Sequence, residues 1–319
     1  MSTTRLHEQR MAGGVAARTG HGIRRLLATF ALACAAFASA HAQDGQGDVV
    51  YVPTPEVVVD EMLGMANVGP QDFLIDLGSG DGRIVITAAK RYGARGFGVD
   101  LDRYLLEQAE KSAQDEGVAD RVKFYDRDIF DTRLDSATVI TTYLLPELNR
   151  RLRPTLLALR PGVRVVTHDY HMGQWLPDAQ KTIVVPEKEV GNPGESYVFL
   201  WYVPAKIAGT WVSDIDAGQG PAQYEFSFDQ DFQELEGVMR DGHDATKFSS
   251  RVLGDQVRFL VLPRRGGKIV RHEFEGRVKD DRIEGRLKIG EGAQQRIVPW
   301  VARQTERREL RKPTDDVEG

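Results

Sequence analysis

Cysteine is almost missing from this chain: one in 319 residues, at position 34. That excludes a disulfide framework. With only seven histidines beside it, little is left for a structural zinc site. Basic excess is missing too. The formal net charge is −5, whereas a nucleic-acid-binding surface is strongly basic. The N-terminal apolar run Leu26–Ala38 has 13 residues, too few to cross a bilayer comfortably, which takes about 20. What remains is ordinarily globular, 41% hydrophobic and 28% charged, with room for about two domains.

The first 42 residues have the form of an export signal. Arg24 and Arg25 precede the apolar run, and Ser39-Ala40-His41-Ala42 offers a small-x-small cleavage site before Gln43. Cys34 follows Ala31-Leu32-Ala33, a poor lipobox, and one arginine pair is a poor twin-arginine signal. Cleavage after Ala42 takes away five Lys/Arg and one Glu, moving the formal charge from −5 to −9. It also removes the cysteine, so the mature chain has neither a disulfide nor a thiol nucleophile. The expected location is periplasmic or secreted, and the alternative is an uncleaved segment that anchors the protein in a membrane. Membrane contact is expected through this segment alone.

The densest signal lies at residues 73–82, FLIDLGSGDG. An apolar run breaks into an acidic glycine turn and then into the helix-like segment Arg83–Arg91. Strand, tight loop and helix N-terminus is where an open α/β sheet binds a nucleotide-like ligand. Gly78, Gly80 and Gly82 allow positive φ and close ligand approach, with Ser79 and Asp81 between them. Asp76 and Asp81 would repel a pyrophosphate and welcome a ligand carrying an ammonium and a sulfonium. Asp100 ends a second strand (95–99), eighteen positions past Gly82, where a carboxylate accepts from both ribose hydroxyls. Asp128, after a third strand (121–125), suits an adenine amino group, with the backbone of Ile129 reading a ring nitrogen. An NAD-type Rossmann domain and a structural glycine turn are the competing assignments. The glycine turn with acids at 76, 100 and 128 resembles the class I S-adenosylmethionine (SAM) dependent methyltransferases.

The rest of the chain is read around that motif. Thr54 is placed as N-cap and Pro55 as N1 of a helix reaching Ala66. Helices are expected at 82–91, 103–116 and 146–159, and further strands at 138–142, 163–167, 181–185 and 196–203. Strands alternating with helices imply a mainly parallel sheet covered on both faces. Seven strands is the complement of the resembled family, in which the last one inserts antiparallel. The expected class is therefore α/β, a seven-stranded Rossmann-like methyltransferase sheet over 43–204. From 205 to 303 the pattern changes to short alternating runs such as QYEFSFD and DRIEGRLKI. Hairpin phrases recur at Leu253–Val257 and Val278–Ile283. About eight strands in this stretch suggest a closed all-β barrel, filled by its own side chains rather than holding a ligand. Gly209-Thr210-Trp211 and Trp300-Val301-Ala302-Arg303 look like a lipocalin-type signature, in which Arg303 stacks on Trp211. Residues 304–319 are expected as a charged, frayed tail.

Two further segments narrow the resemblance. Tyr51-Val52-Pro53-Thr54 and Leu144-Leu145-Pro146-Glu147 look like bacterial relatives of the mitochondrial lysine methyltransferases that modify the ATP synthase c-ring protein, themselves similar to the non-SET histone-lysine enzymes. The resemblance implies a protein-lysine acceptor, with Tyr51 near the cofactor and Tyr143 near the amine. The chain departs from those families in its export signal and its β domain. The Asn/Asp-Pro-Pro-aromatic motif of DNA adenine methyltransferases is absent after strand four, which argues against base methylation. A small-molecule or lipid acceptor is the alternative, as is an exported, non-catalytic binding protein on the same scaffold. SAM is made in the cytoplasm, so an exported enzyme would need to be supplied with it.

Tyr143 either contacts the incoming amine or packs over the sheet edge. Glu147 either attracts a cationic lysine or complements a helix dipole. His168-Asp169-Tyr170-His171 invites a metal or general-base role, but no third ligand is evident, and a polar loop lining the cleft is the plainer expectation. Trp175 is expected to pack the following turn.

Overall fold

The computed structural model describes residues 51–309, except 218–219, 243, 266 and 293–294. The expected leader and the end of the tail lie outside the described residues. Gly47–Gly319 forms one compact unit. No helix among the described residues is long and apolar enough to cross a membrane.

Helix α1 (Glu56–Met65) leads into β1 (Phe73–Leu77), α2 (Arg83–Tyr92), β2 (Arg95–Asp100), α3 (Arg103–Asp115) and β3 (Val122–Asp126). A 3-10 turn (Ile129–Asp131) precedes β4 (Val139–Thr142), α4 (Pro146–Leu157), β5 (Arg164–His168), β6 (Ala179–Val185) and β7 (Gly194–Tyr202). The strand order is β3-β2-β1-β4-β5-β7-β6, with β7 antiparallel to both neighbours. The central strands are apolar along their whole length because helices cover both faces. The order reverses between β1 and β4, so the crevice for a ligand opens above Asp76, Leu77 and Thr142.

Strands β8 (Gly209–Asp216), β9 (Pro221–Asp231), β10 (Glu234–Arg240), β11 (Ala245–Leu253) and β12 (Gln256–Val261) begin the second layer. A short ribbon follows, β13 (Arg264–Arg265) with β14 (Lys268–Ile269). Then come β15 (His272–Lys279), β16 (Arg282–Ile289) and β17 (Arg296–Arg307). Eight of these strands close into an antiparallel barrel. The hairpin phrases turn at Gly254-Asp255 and Asp280-Asp281, with positive φ at Gly254 and Asp280. Rings fill the interior: Phe248 stacks on Phe259 at 4.4 Å and Phe259 on Phe274 at 4.8 Å, with Trp300 edge-on to Phe274 at 5.0 Å.

Three expectations are corrected. Thr54 does not cap α1, whose first residue is Glu56 after Pro55. Its hydroxyl instead reaches His168 Nδ1 at 3.2 Å. Arg303 does not stack on Trp211: strand alternation turns Trp300 and Ala302 inward and exposes Arg303, while Trp211 is buried inside and donates to Ile207 O at 2.8 Å. The tail does not begin at 304, because β17 continues to Arg307, pairing Gln304 with Trp211 and Arg307 with Gly209.

The barrel abuts the edge of the sheet where β5 and β6 begin. Ala205 N donates to Gly254 O at 2.8 Å, Gln233 Nε2 to Leu176 O at 2.6 Å, and Arg251 pairs with Asp178 at 3.1 Å. Trp175 is fully buried there between Trp201 and Phe232, as a turn-packing residue. The carboxyl ends of the parallel strands lie on the opposite edge.

Candidate active site

The glycine turn after β1 is shaped by β2. Gly78, Gly80 and Gly82 have φ of 79°, 51° and 77°. Asp100, at the end of β2, accepts from Gly80 N at 2.8 Å and from Asp102 N at 3.0 Å. Tyr51 lies flat over the turn: a Cβ on Gly80 would come within 2.2 Å of its ring. The Tyr51 hydroxyl is buried without a well-formed hydrogen bond, as is the Ser79 hydroxyl. Burial, with Asp81 nearby, pushes the tyrosine pKa well above its usual range. Burial opposes the charge of Asp81, but its fork with Arg83 wins and keeps the carboxylate below its ordinary value. Arg83 also donates to Thr54 O at 2.9 Å, so segment 51–55 is strapped to the start of α2.

Asp76 is buried and accepts from Thr141 Oγ1 at 2.7 Å. Burial pushes its pKa up to about 7; the Thr141 hydrogen bond opposes this, and the charges of Asp100 and Asp81 add to it. Asp128 caps the 3-10 turn, accepting from Phe130 N at 2.8 Å, with Ile129 as the first turn residue. Asp76, Asp100 and the glycine turn thus converge around one crevice, and Asp128 with Ile129 follows β3, next to β2 in the sheet.

A second cluster, which the sequence only half revealed, sits past β4 and β5. The Tyr143 hydroxyl donates to Asp169 Oδ2 at 3.2 Å, and its ring lies 3.9 Å from that of His168. Asp169 also accepts from Tyr197 N at 3.0 Å and from Lys188 Nζ at 2.5 Å. His168 bonds Thr54 through Nδ1 and Ser196 Oγ, at 3.0 Å, through Nε2. Burial pushes His168 down to about 4, so it is neutral at physiological pH. His171 is exposed and accepts from Gly173 N, so the two histidines do not converge. Glu147 is not part of the cluster. It is 68% exposed on the first turn of α4 and faces Arg150 at 3.6 Å, as a residue complementing a helix N-terminus does. Lys188, Thr54 and Ser196 carried no local signal. Lys188 in particular sits in a stretch, PEKEVGNPG, that reads as a solvated turn.

The model of the ANTKMT methyltransferase domain family matches residues 76–179. A protein-lysine N-methyltransferase of Saccharolobus islandicus is 40% identical over 131 residues, covering 40% of this chain and 81% of that protein. The chain belongs to this methyltransferase family. A lysine N-methyltransferase of the ATP synthase c-ring protein, from Xenopus laevis, is 30% identical over 129 residues, and there the match spans only 56% of the relative. A crystal structure described as an RNA methyltransferase from Salinibacter ruber with S-adenosyl-L-homocysteine is 47% identical, covering 49% of this chain and 96% of that one, with a TM-score of 0.44. The family match ends at 179, before the barrel starts at Gly209.

The methyltransferase uses SAM, and its residues fit that group. The crevice offers two unpartnered buried hydroxyls, a turn that tolerates no Cβ at Gly80, and the carboxylates of Asp76, Asp100 and Asp128. SAM supplies a methyl already activated on a sulfonium. Asp76 is placed to hold its ammonium, Asp100 the ribose hydroxyls, and Asp128 with Ile129 the adenine.

The raised Asp76 pKa gives a pH dependence. A carboxylate that pairs with an ammonium must first be ionised. SAM affinity should therefore be flat above about pH 7 and fall roughly ten-fold per unit below it. Because the folded value exceeds the ordinary 3.8, Asp76 stabilises the SAM-free fold while protonated, and that contribution fades as pH rises through about 7. Calorimetric titration of wild type and Asp76→Asn over about three pH units centred on that value checks this. The variant should bind weakly with a flat profile, and a sloping profile there would assign the proton elsewhere.

Proposed function

We propose that the enzyme transfers the methyl group of SAM to the side-chain amine of a protein lysine. The observation that carries this is Asp169: a buried carboxylate, at the carboxyl end of β5, bonded to the Tyr143 hydroxyl beside the crevice. It is a negative pole suited to a cationic acceptor. The names of the archaeal and vertebrate relatives support the same acceptor. Transfer is an in-line displacement, so the protein's part is to orient the amine and exclude water. Tyr143 and Asp169 orient it. The rings of Tyr143, His168 and Tyr170 wall the approach, and neutral His168 adds no charge to repel a cation.

A second acceptor class, a small amine, has one observation behind it. The connection between β6 and β7 folds over the cluster, so that a Cβ on Gly191 would lie 3.1 Å from Asp169 Oδ2 and 3.6 Å from the Tyr143 hydroxyl. A small acceptor needs such a closed pocket, whereas a protein lysine needs the connection to move.

The export signal proposed for the first 42 residues points to an acceptor in the cell envelope. Incubation with tritiated SAM and separated envelope and cytosolic extracts, each with and without protease or ribonuclease, tests the acceptor and its compartment together. Protease-sensitive label in the envelope is expected, and ribonuclease-sensitive label would replace the lysine proposal. Tyr143→Phe should lower kcat by about ten- to a hundred-fold while SAM affinity stays within about two-fold. Equal turnover of the two proteins would remove Tyr143 from the reaction.

A further inference from the structure

Lys188 lies in the β6–β7 connection among exposed neighbours, yet it is only 7% exposed itself. Its Nζ contacts Asp169 Oδ2 at 2.5 Å, Glu195 O at 2.7 Å and Ser196 Oγ at 3.0 Å. Three acceptors match the three N–H donors of an ammonium. The Tyr143 hydroxyl shares the same Asp169 oxygen. The chain has therefore built an alkylammonium cage against its own acceptor-side tyrosine, and has filled it with a lysine side chain.

Stability alone is a poor reason for this. A buried ion pair gives little net advantage over an apolar pair of the same volume. The backbone also bears a cost at the same place, since Asp169 holds φ at 61°, the left-handed region that side chains disfavour. Above it Gly191, with φ of 80°, brings main chain against the carboxylate where a side chain would crowd it. A buried charge, a strained aspartate and a close-packed glycine converge on one oxygen beside Tyr143. Strain held by the surrounding fold is typical of ligand sites.

We propose that Asp169, Ser196 and the Glu195 carbonyl are the ammonium-recognition cage of the acceptor site, and that Lys188 occupies it as a built-in stand-in for the substrate lysine. The proposal rests on the lysine-acceptor function above and adds how that amine is recognised. An incoming ammonium replaces the bonds of Lys188 one for one, so Asp169 is never left bare during the exchange. Gly191, Pro193 and Gly194 give the connection the freedom to withdraw. Hydroxyl acceptors, lacking the charge, do not displace Lys188. Occupancy by Lys188 lowers apparent acceptor affinity by the fraction of time the cage is open.

The test uses the full chain, tritiated SAM and poly-L-lysine as acceptor. Lys188→Met, which keeps bulk and removes the competing charge, should show a KM for poly-L-lysine about ten-fold below wild type, with kcat within about two-fold. The double variant Lys188→Met/Asp169→Asn leaves no unpaired buried charge and so folds even if the single variant does not. Its KM should exceed wild type by about ten-fold with SAM affinity unchanged. A KM in Lys188→Met equal to or above wild type, or a double variant as good as wild type, overturns the cage while leaving lysine methylation standing. If neither wild type nor the variants label poly-L-lysine although all bind SAM, the lysine acceptor fails and the cage falls with it.

Discussion

Replacing Asp100 by alanine should lower SAM affinity by two to three orders of magnitude. Asp100 acts twice in the cofactor site. Its two oxygens already take Gly80 N at 2.8 Å and Asp102 N at 3.0 Å, and so fix the turn between β1 and α2. The same carboxylate, half-buried at the end of β2, faces where the ribose of SAM lies. Alanine leaves two backbone donors without their acceptor and removes charge-assisted bonds worth about 1.5–3 kcal/mol each. A total of roughly 3–4 kcal/mol corresponds to the stated loss. Titration calorimetry on the two proteins measures it, with Asp100→Asn as the conservative companion. Asparagine keeps one acceptor for Gly80 N and should lose less. Affinity within about three-fold of wild type in the alanine protein would remove Asp100 from the cofactor site.

That prediction was available from sequence because the cofactor half of the site is local. Turn glycines, the acid before them and the acids ending β2 and β3 each sit at a strand end that hydrophobic patterning marks. The acceptor half is different. Thr54 looked like a helix cap because Pro55 follows it, but its hydroxyl answers to His168, 114 positions away. Lys188 looked like a solvated charge in a Gly- and Pro-rich turn, and only the pairing of β7 with β5 brings Ser196 and Asp169 around it. Asp169 itself was named but not assigned, since its left-handed backbone turns the carboxylate back toward Tyr143 in a way no spacing encodes. Glu147 failed for the opposite reason: a resemblance suggested a role where helix geometry left the side chain facing solvent. Arg303 was decidable in advance, because alternation from the inward Trp300 already places it outside.

Trp300→Ala carries the largest expected stability loss, and it asks what the barrel is for. The ring is fully buried on β17, at 5.0 Å from Phe274, 5.5 Å from Phe259 and 5.7 Å from Phe226. Its Nε1 has no partner within the described residues, so truncation forfeits packing and no hydrogen bond. A cavity of that kind costs about 3–5 kcal/mol, roughly 10 °C of melting temperature for a unit of this size. SAM affinity should nonetheless stay within about two-fold. The contacts of the barrel, from Gly254 to Ala205 and from Arg251 to Asp178, lie at the edge of the sheet where β5 and β6 begin. The cofactor crevice and the Tyr143 cluster lie at the opposite edge. Near-ultraviolet circular dichroism melts with and without SAM read both effects. Two separated transitions, with SAM raising only the one that Trp300→Ala leaves in place, would show the barrel to be an independent module carried by the enzyme. One transition lowered as a whole would mean that the Gln233, Ala205 and Arg251 contacts fuse sheet and barrel into a single cooperative unit. An unchanged melt would refute the packed interior itself.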